Sequence, residues 1–237
     1  MLRDSQPRYL APLNVTLYPS RPQHLNNMLD ALDWSRTTEL SIGYANDIQD
    51  HYITTTYQLP SLQKLTFKGS DVYPLLLRLN APLLDTIVVD KDDFMHRAIP
   101  MAIPNKDHPT FSRVGNVTTL VDAKGTFPNH LACFPNLTQL TLRLRIPKTT
   151  ELVSIEPLLH WQYERGLPNS VALKLPALEI LDIEITPAPW SGAPVIDLRK
   201  TFAPSLASFI KSRIEHGLPL KNVTYKYERR HLYKDVL

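Results

Sequence analysis

Cysteine is almost absent: Cys133 is the only one in 237 residues. An internal disulfide and a thiolate zinc cage are therefore both excluded. Glycine is scarce as well, with seven residues, which leaves little material for a phosphate-cradling loop. No Walker, Rossmann or G-x-S-x-G pattern occurs. No apolar run reaches the length of a membrane span, and the polar start Met1-Leu-Arg-Asp-Ser-Gln-Pro lacks the apolar segment of a signal peptide. These absences lead to the expectation of an intracellular protein, cytoplasmic or nuclear, with no membrane attachment. Charge of either sign is nearly balanced at +3, a poor basis for nucleic-acid binding even at a pI near 8.9. Apolar residues make up 43% of the chain, enough for a sizeable core.

Proline is abundant, at 21 residues, about twice the usual share. Its placement leads to a repeated pattern of apolar, two others, apolar, one other, apolar. Four copies are clear: Leu62 to Phe67, Leu84 to Val89, Leu137 to Leu142 and Leu178 to Ile183. Each has a proline two residues before its first apolar position, namely Pro60, Pro82, Pro135 and Pro176. This is the strand half of a leucine-rich repeat, in which the second and third apolar residues point into a stacked core. Leu65, Phe67, Ile87, Val89, Leu140, Leu142, Leu181 and Ile183 are thereby expected to be buried. Weaker copies begin at Leu10, Thr37, Val117 and Leu220. The steps between first positions are then 27, 25, 22, 33, 20, 41 and 42 residues. The short steps fit such repeats, and the last two imply insertions or a repeat too worn to read.

Segments with helical spacing alternate with these strands. Leu25, Met28, Leu29 and Leu32 follow Ser20 and Pro22, which are start signals. Val72, Leu75, Leu76 and Leu79 form one face of a short helix opened by Ser70 or Asp71. Leu206, Phe209, Ile210 and Ile214 form another, with Pro204 in its first turn and Gly217 capping its end. A doubly wound sheet also alternates strand and helix, but its strands are continuous apolar runs buried on both faces. Here Lys64, Thr66 and Lys68 interleave with Leu65 and Phe67, and Asp182 and Glu184 flank Ile183. One wet face favours an α/β class, an irregular leucine-rich-repeat solenoid. Residues 1–237 are expected to form a single domain of about seven or eight repeats, with a curved parallel sheet on the concave side and helices and loops on the convex side.

The segments Leu-Pro-x-Leu-x-x-Leu-x-Phe, Ala-Pro-Leu-Leu-x-x-Ile-x-Val and Phe-Pro-Asn-Leu-x-x-Leu-x-Leu resemble the leucine-rich-repeat part of fungal F-box-like proteins. The stretch Leu206 to Tyr227 looks like their closing repeat. The resemblance implies a binding role for the repeats, as the substrate receptor of a cullin–RING ubiquitin ligase. It departs from the family at its start: the first repeat begins at Leu10, leaving no room for an F-box. Docking on the ligase adaptor is expected only for a longer product that carries that box.

The repeat register assigns the solvent-facing positions of the sheet. They are Glu39 and Ser41; Lys64, Thr66 and Lys68; Thr86, Val88 and Asp90; Gln139, Thr141, Arg143 and Arg145; Asp182 and Glu184; and Thr224 and Lys226. From Lys64 onwards the rows alternate basic and acidic, which suits a structured protein partner, whereas nucleic acid favours one sign throughout. The expectation is a non-enzymatic module that holds a protein on this face without a cofactor.

Other chemistries compete less well. Asp90, Asp92, Asp93 and His96 have residue types that bind metals, but the cluster opens a proline-studded stretch and reads as a solvated loop. His130 and Cys133 stand three apart, a spacing that sets a base and a nucleophile on one helical face, with no orienting acid; a lone cysteine in an apolar stretch is usually core. The tail from Lys221 to Lys234 mixes Lys and Arg with tyrosines. Nucleic-acid binding is the alternative there to a polar end cap. The four Asn-x-Thr sequons, at Asn14, Asn116, Asn136 and Asn222, read as strand sequence because each has an apolar middle residue.

Overall fold

The computed structural model describes residues 11–19, 22–43, 55–68, 76, 78–89, 111–121, 131, 134–146, 175–187 and 203–227. Along the chain run β1 (Leu13–Leu17), α1 (Pro22–Asp30), β2 (Thr37–Gly43), β3 (Tyr57–Gln58), β4 (Lys64–Lys68), β5 (Leu79–Asn80), β6 (Thr86–Val89) and β7 (Asn116–Val121). They are followed by β8 (Gln139–Ile146), β9 (Ile180–Pro187), α2 (Ala203–Glu215) and β10 (Asn222–Tyr227).

The prolines explain how the strands begin. In Leu59-Pro-Ser-Leu62, Ala81-Pro-Leu-Leu84, Phe134-Pro-Asn-Leu137 and Leu175-Pro-Ala-Leu178, the last residue's N–H donates to the first residue's carbonyl, at 3.1–3.3 Å. Proline thus occupies the second position of a four-residue turn, where its fixed φ is already correct. Both ends of each turn are buried: Leu59, Ala81, Phe134 and Leu175 join Leu62, Leu84, Leu137 and Leu178 in the core. The residue before proline is a fourth apolar position that the three-position pattern did not include.

Just past each turn, one carbonyl sews two repeats together. The Gln63 carbonyl accepts from the N–H groups of Asp85 and Thr86, Asp85 from Gly115 and Asn116, Gly115 from Thr138 and Gln139, Thr138 from Glu179 and Ile180, and Glu179 from Lys221 and Asn222. The result is one eight-stranded, all-parallel sheet in the order β1-β2-β4-β6-β7-β8-β9-β10. The order never reverses, so the sheet lacks the switch point of a doubly wound fold. A separate pair, β3 and β5, is joined by its own backbone bonds and by Asn80 Nδ2 donating to Gln58 Oε1 at 2.6 Å.

All eight predicted core residues are buried, none above 3% exposed. Leu25 and Leu29 of α1 and Phe209 of α2 belong to the same cluster, so both helices cover the apolar face of the sheet. The protein is therefore α/β with one large parallel sheet, apolar on one face and polar on the other.

Two weak repeats have a different register from the expected one. The fifth was expected at Val117, Leu120 and Asp122. Pairing of Ile87 with Val117 and Val89 with Thr119 instead makes Val114, Val117 and Thr119 its core positions. Thr119 is only 1% exposed, a polar residue in an apolar slot, which hid the copy from a hydrophobicity pattern. The first repeat was expected at Leu10, Leu13 and Val15. Val15 instead faces Leu40 and Leu17 faces Ile42, after a register shift between Leu13 and Asn14. First positions now fall at Pro12, Thr37, Leu62, Leu84, Val114, Leu137, Leu178 and Leu220, in steps of 25, 25, 22, 30, 23, 41 and 42 residues.

The helices also differ in detail. Leu32 lies past the end of α1 yet packs against the core. Leu79, expected on a helix with Leu76, opens β5; Val72 and Leu75 lie outside the described residues. In α2, Leu206, Phe209 and Ile210 face the core, but Ile214 is 58% exposed and Arg213 is buried. At 100° per residue Arg213 falls near the centre of the stripe set by Leu206, Phe209 and Ile210, and Ile214 falls at its rim. The helix ends as expected at Gly217, whose φ of +72° suits glycine. Gly217 N–H donates to the Ile214 carbonyl (3.0 Å) and Leu218 N–H to the Arg213 carbonyl (2.9 Å), the two bonds of a Schellman cap.

Tyr57, at the start of β3, is buried beside Trp34, with ring centroids 6.2 Å apart. Its hydroxyl donates to Asn26 Oδ1 at 3.5 Å. Burial first, then the charge of Asp30 and a hydrogen bond with it, pushes the Tyr57 pKa up to about 12 from its ordinary 10. Between these values the unfolded chain loses this proton before the folded one does. The neutral Tyr57 therefore stabilises the fold in full below pH 10, and its contribution is lost as pH rises through about 12. Urea melts should show stability falling over this window by less in Tyr57→Phe than in the wild type. An identical fall in both would remove Tyr57 as the cause.

Candidate protein-binding face

Strand alternation turns every second side chain of the sheet away from the core, and parallel pairing lines these up across strands. Nearest the strand starts run Asn14, Glu39, Lys64, Thr86, Asn116, Gln139, Ile180 and Asn222. The next row is Thr16, Ser41, Thr66, Val88, Thr118, Thr141, Asp182 and Thr224. Beyond it, Gly43 pairs with Lys68, and Arg143, Glu184 and Lys226 stand in line on β8, β9 and β10. The second row is almost wholly hydroxyl, and the first is rich in amides.

The charges of this face bond across strands. Lys64 Nζ lies 3.5 Å from Glu39 Oε2, and Arg143 Nε lies 3.0 Å from Glu184 Oε2. All four side chains are between a third and a half exposed, so each pair contributes at most about 1 kcal/mol. Asp182 accepts from Gln139 Nε2 at 2.9 Å through one oxygen and from the Thr224 hydroxyl through the other, joining β8, β9 and β10. Asn116 Nδ2 and the Thr86 hydroxyl both donate to Asp85 Oδ2, at 2.6 and 3.1 Å. The expected alternation of sign rests in part on Asp90, outside the described residues; among the described ones the charges of Glu39 and Lys64, and of Arg143 and Glu184, stand as cross-strand pairs.

Glu39, Lys64, Thr66, Lys68, Thr86, Gln139, Thr141, Arg143, Asp182, Glu184 and Lys226 all lie on this one face, half-buried or exposed. Asp90 and the side chain of Arg145 lie outside the described residues. So do Asp92, Asp93 and His96, the pair His130 and Cys133, and the tail from Glu228 onwards. Among the described residues no group of three or more His, Cys, Asp or Glu is placed to hold a metal ion. Lys221, at the head of that tail, lies 2.7 Å from Glu179 Oε1.

Sequence reasoning missed Asn14, Thr16, Asn116, Thr118, Ile180 and Asn222 on this face. A signal for most of them was present in the sequons. Asn14-Val-Thr16, Asn116-Val-Thr118 and Asn222-Val-Thr224 each put Asn in the first row, an apolar residue on the opposite, inward side and Thr in the second row. The fourth, at Asn136, is a correction: it lies in the turn before β8, where Asn136 Nδ2 donates to the Ser112 carbonyl at 2.7 Å.

Comparison with models of known protein families, with curated proteins and with solved structures gives no match. Among the described residues no helix is long and apolar enough to cross a membrane.

Proposed function

We propose that the chain is a leucine-rich-repeat solenoid whose polar sheet face is its concave surface, and that this face binds another protein without catalysis. The observation that supports this is the unbroken alignment of eight strands in chain order, which makes a continuous surface of mixed, mutually paired charge with a neutral hydroxyl band. Charges of both signs held in fixed places favour a structured protein with a complementary pattern, since a polyanion would leave the acidic groups opposed by like charge. A partner laid over strands that are anchored from beneath meets a rigid surface, which lowers the ordering cost of binding. On the F-box-like resemblance, that partner is a protein destined for ubiquitin transfer.

The test is a quantitative pull-down with the wild type and a Lys64→Glu, Arg143→Glu, Asp182→Lys triple variant, with circular dichroism to verify that both are folded. The triple variant should lose the partners that the wild type captures. Equal recovery of the same partners would show that binding lies elsewhere.

A further inference from the structure

Gly43 is the one glycine that lies within a strand among the described residues. Glycine inside a strand weakens it and commonly marks a close approach by another group. The group here is Tyr18. Leu40 and Ile42 point into the core, so a side chain on Gly43 would point out over the polar face. A β-carbon there would lie 2.6 Å from Tyr18 Cε1 and 2.7 Å from Cδ1, closer than such atoms ever sit. The ring therefore occupies the place of the missing side chain, lying on the outer face of β2. It is nonetheless 56% exposed, a large apolar surface on a face made, apart from the half-buried Val88 and Ile180, of amides, hydroxyls and charges. Across the next strand, in register with Gly43, stands the exposed Lys68. The other lysine of β4, Lys64, already has Glu39 at 3.5 Å.

We propose that Tyr18, seated on Gly43, is the anchor of the binding face, and that with Lys68 it takes a segment of the partner protein in which an acidic residue adjoins an aromatic or apolar one. The proposal rests on the protein-binding role of this face and specifies the chemistry bound at one end of it. A tyrosine ring offers a large contact area for two rotatable bonds, and seating on a glycine fixes it before the partner arrives. Aromatic anchors of this kind carry a disproportionate share of binding energy. Lys68 supplies the charge selection: a carboxylate gains from it and a basic residue is repelled.

The probe is a random dodecapeptide library displayed on phage and selected against the wild-type protein, with the enriched peptides then synthesised and titrated against variants. Enriched sequences should pair Asp or Glu with an aromatic or aliphatic residue. Their affinity should fall about tenfold or more in Tyr18→Ala, the range for losing an anchor. Tyr18→Phe, which keeps the ring, should bind nearly as the wild type. Gly43→Ala should fall with Tyr18→Ala, because the added methyl group displaces the ring while Tyr18 itself remains. Lys68→Glu should reverse the preference for acidic peptides. Peptides that bind Tyr18→Ala and Gly43→Ala as tightly as the wild type would overturn the anchor, as would enrichment of basic sequences or failure to enrich any. If such peptides still lose binding in the Lys64, Arg143 and Asp182 triple variant, only the anchor falls. If they bind that variant equally well, the whole face falls with it.

Discussion

Leu140→Ala should destabilise the protein by about 2–5 kcal/mol, the range for emptying a packed leucine site. Leu140 has no exposed surface and lies on β8, between Val117 of β7 and Leu181 of β9. Each of those neighbours is itself buried, so the vacated volume has little from which to be refilled. The loss is a large share of the roughly 5–15 kcal/mol by which a folded domain exceeds its unfolded chain. Leu83→Ala is the contrasting variant. Leu83 stands in the turn before β6, beside the fully buried Leu84, yet is 47% exposed. Its truncation should change stability by no more than about 0.5 kcal/mol, as at most surface sites. Urea melts of the two variants check the contrast. Equal losses would mean that the inward and outward positions of the strands are wrongly assigned, and the polar rows would be wrong with them.

What was legible in the sequence was whatever the chain repeats locally. The proline turn and the three apolar positions, the first of which closes it, fall within nine residues, so Leu65, Phe67, Leu140 and Leu181 could be placed in the core without knowing their neighbours. The cap at Gly217 was readable for the same reason. What failed depended on partners distant along the chain. Thr119 fills a core position because β6 and β8 hold β7 in register on either side, and nothing in Val117-Thr-Thr-Leu120 conveys that. The first repeat was misplaced because the register shifts between Leu13 and Asn14. Ile214 was placed on the buried face and Arg213 passed over because an apolar pattern ranks isoleucine inside, whatever carbonyls await a guanidinium. On the polar face of the sheet the row positions were largely readable from alternation. The ion pair of Arg143 with Glu184 spans 41 positions along the chain, and the seat of Tyr18 on Gly43 joins the residue just past β1 to the end of β2, with α1 between them.

Arg213→Met should cost nearly as much as the loss of a core leucine, although it exchanges a charge for an apolar side chain in a buried site. Arg213 is 1% exposed. Its Nε donates to the Leu218 carbonyl at 3.1 Å, and its two terminal nitrogens donate to the carbonyls of Leu175 (3.2 Å) and Leu178 (2.9 Å). Burial lowers its pKa, an effect opposed by this ring of carbonyl dipoles and by the Phe209 ring 5.9 Å away. The guanidinium thus joins the turn before β9 to the end of α2, and it does so at a residue under strain, since Leu175 has a φ of 53° that favours glycine. Replacing a buried ion pair by apolar residues can be neutral, because both charges leave together. Here the acceptors are backbone and remain. The Leu175 carbonyl keeps its bond from Leu178 N–H, but those of Leu178 and Leu218 lose the guanidinium donor. At about 1–3 kcal/mol for each of these two orphaned groups, the expected loss is about 2–6 kcal/mol. Arg213→Lys should recover only part of it, because one ammonium group cannot span three carbonyls in a fixed fork. The damage should also be local. Hydrogen exchange should show the amides of Lys221 and Asn222, which bond to the Glu179 carbonyl, losing protection, while those of Asp85 and Thr86 at the Gln63 carbonyl keep theirs. Strands added in chain order pair only with their neighbours, so loosening β10, at the edge of the described sheet, leaves the earlier strands paired. Protection unchanged at Lys221 and Asn222 in Arg213→Met would show that the closing strand is held by the sheet alone.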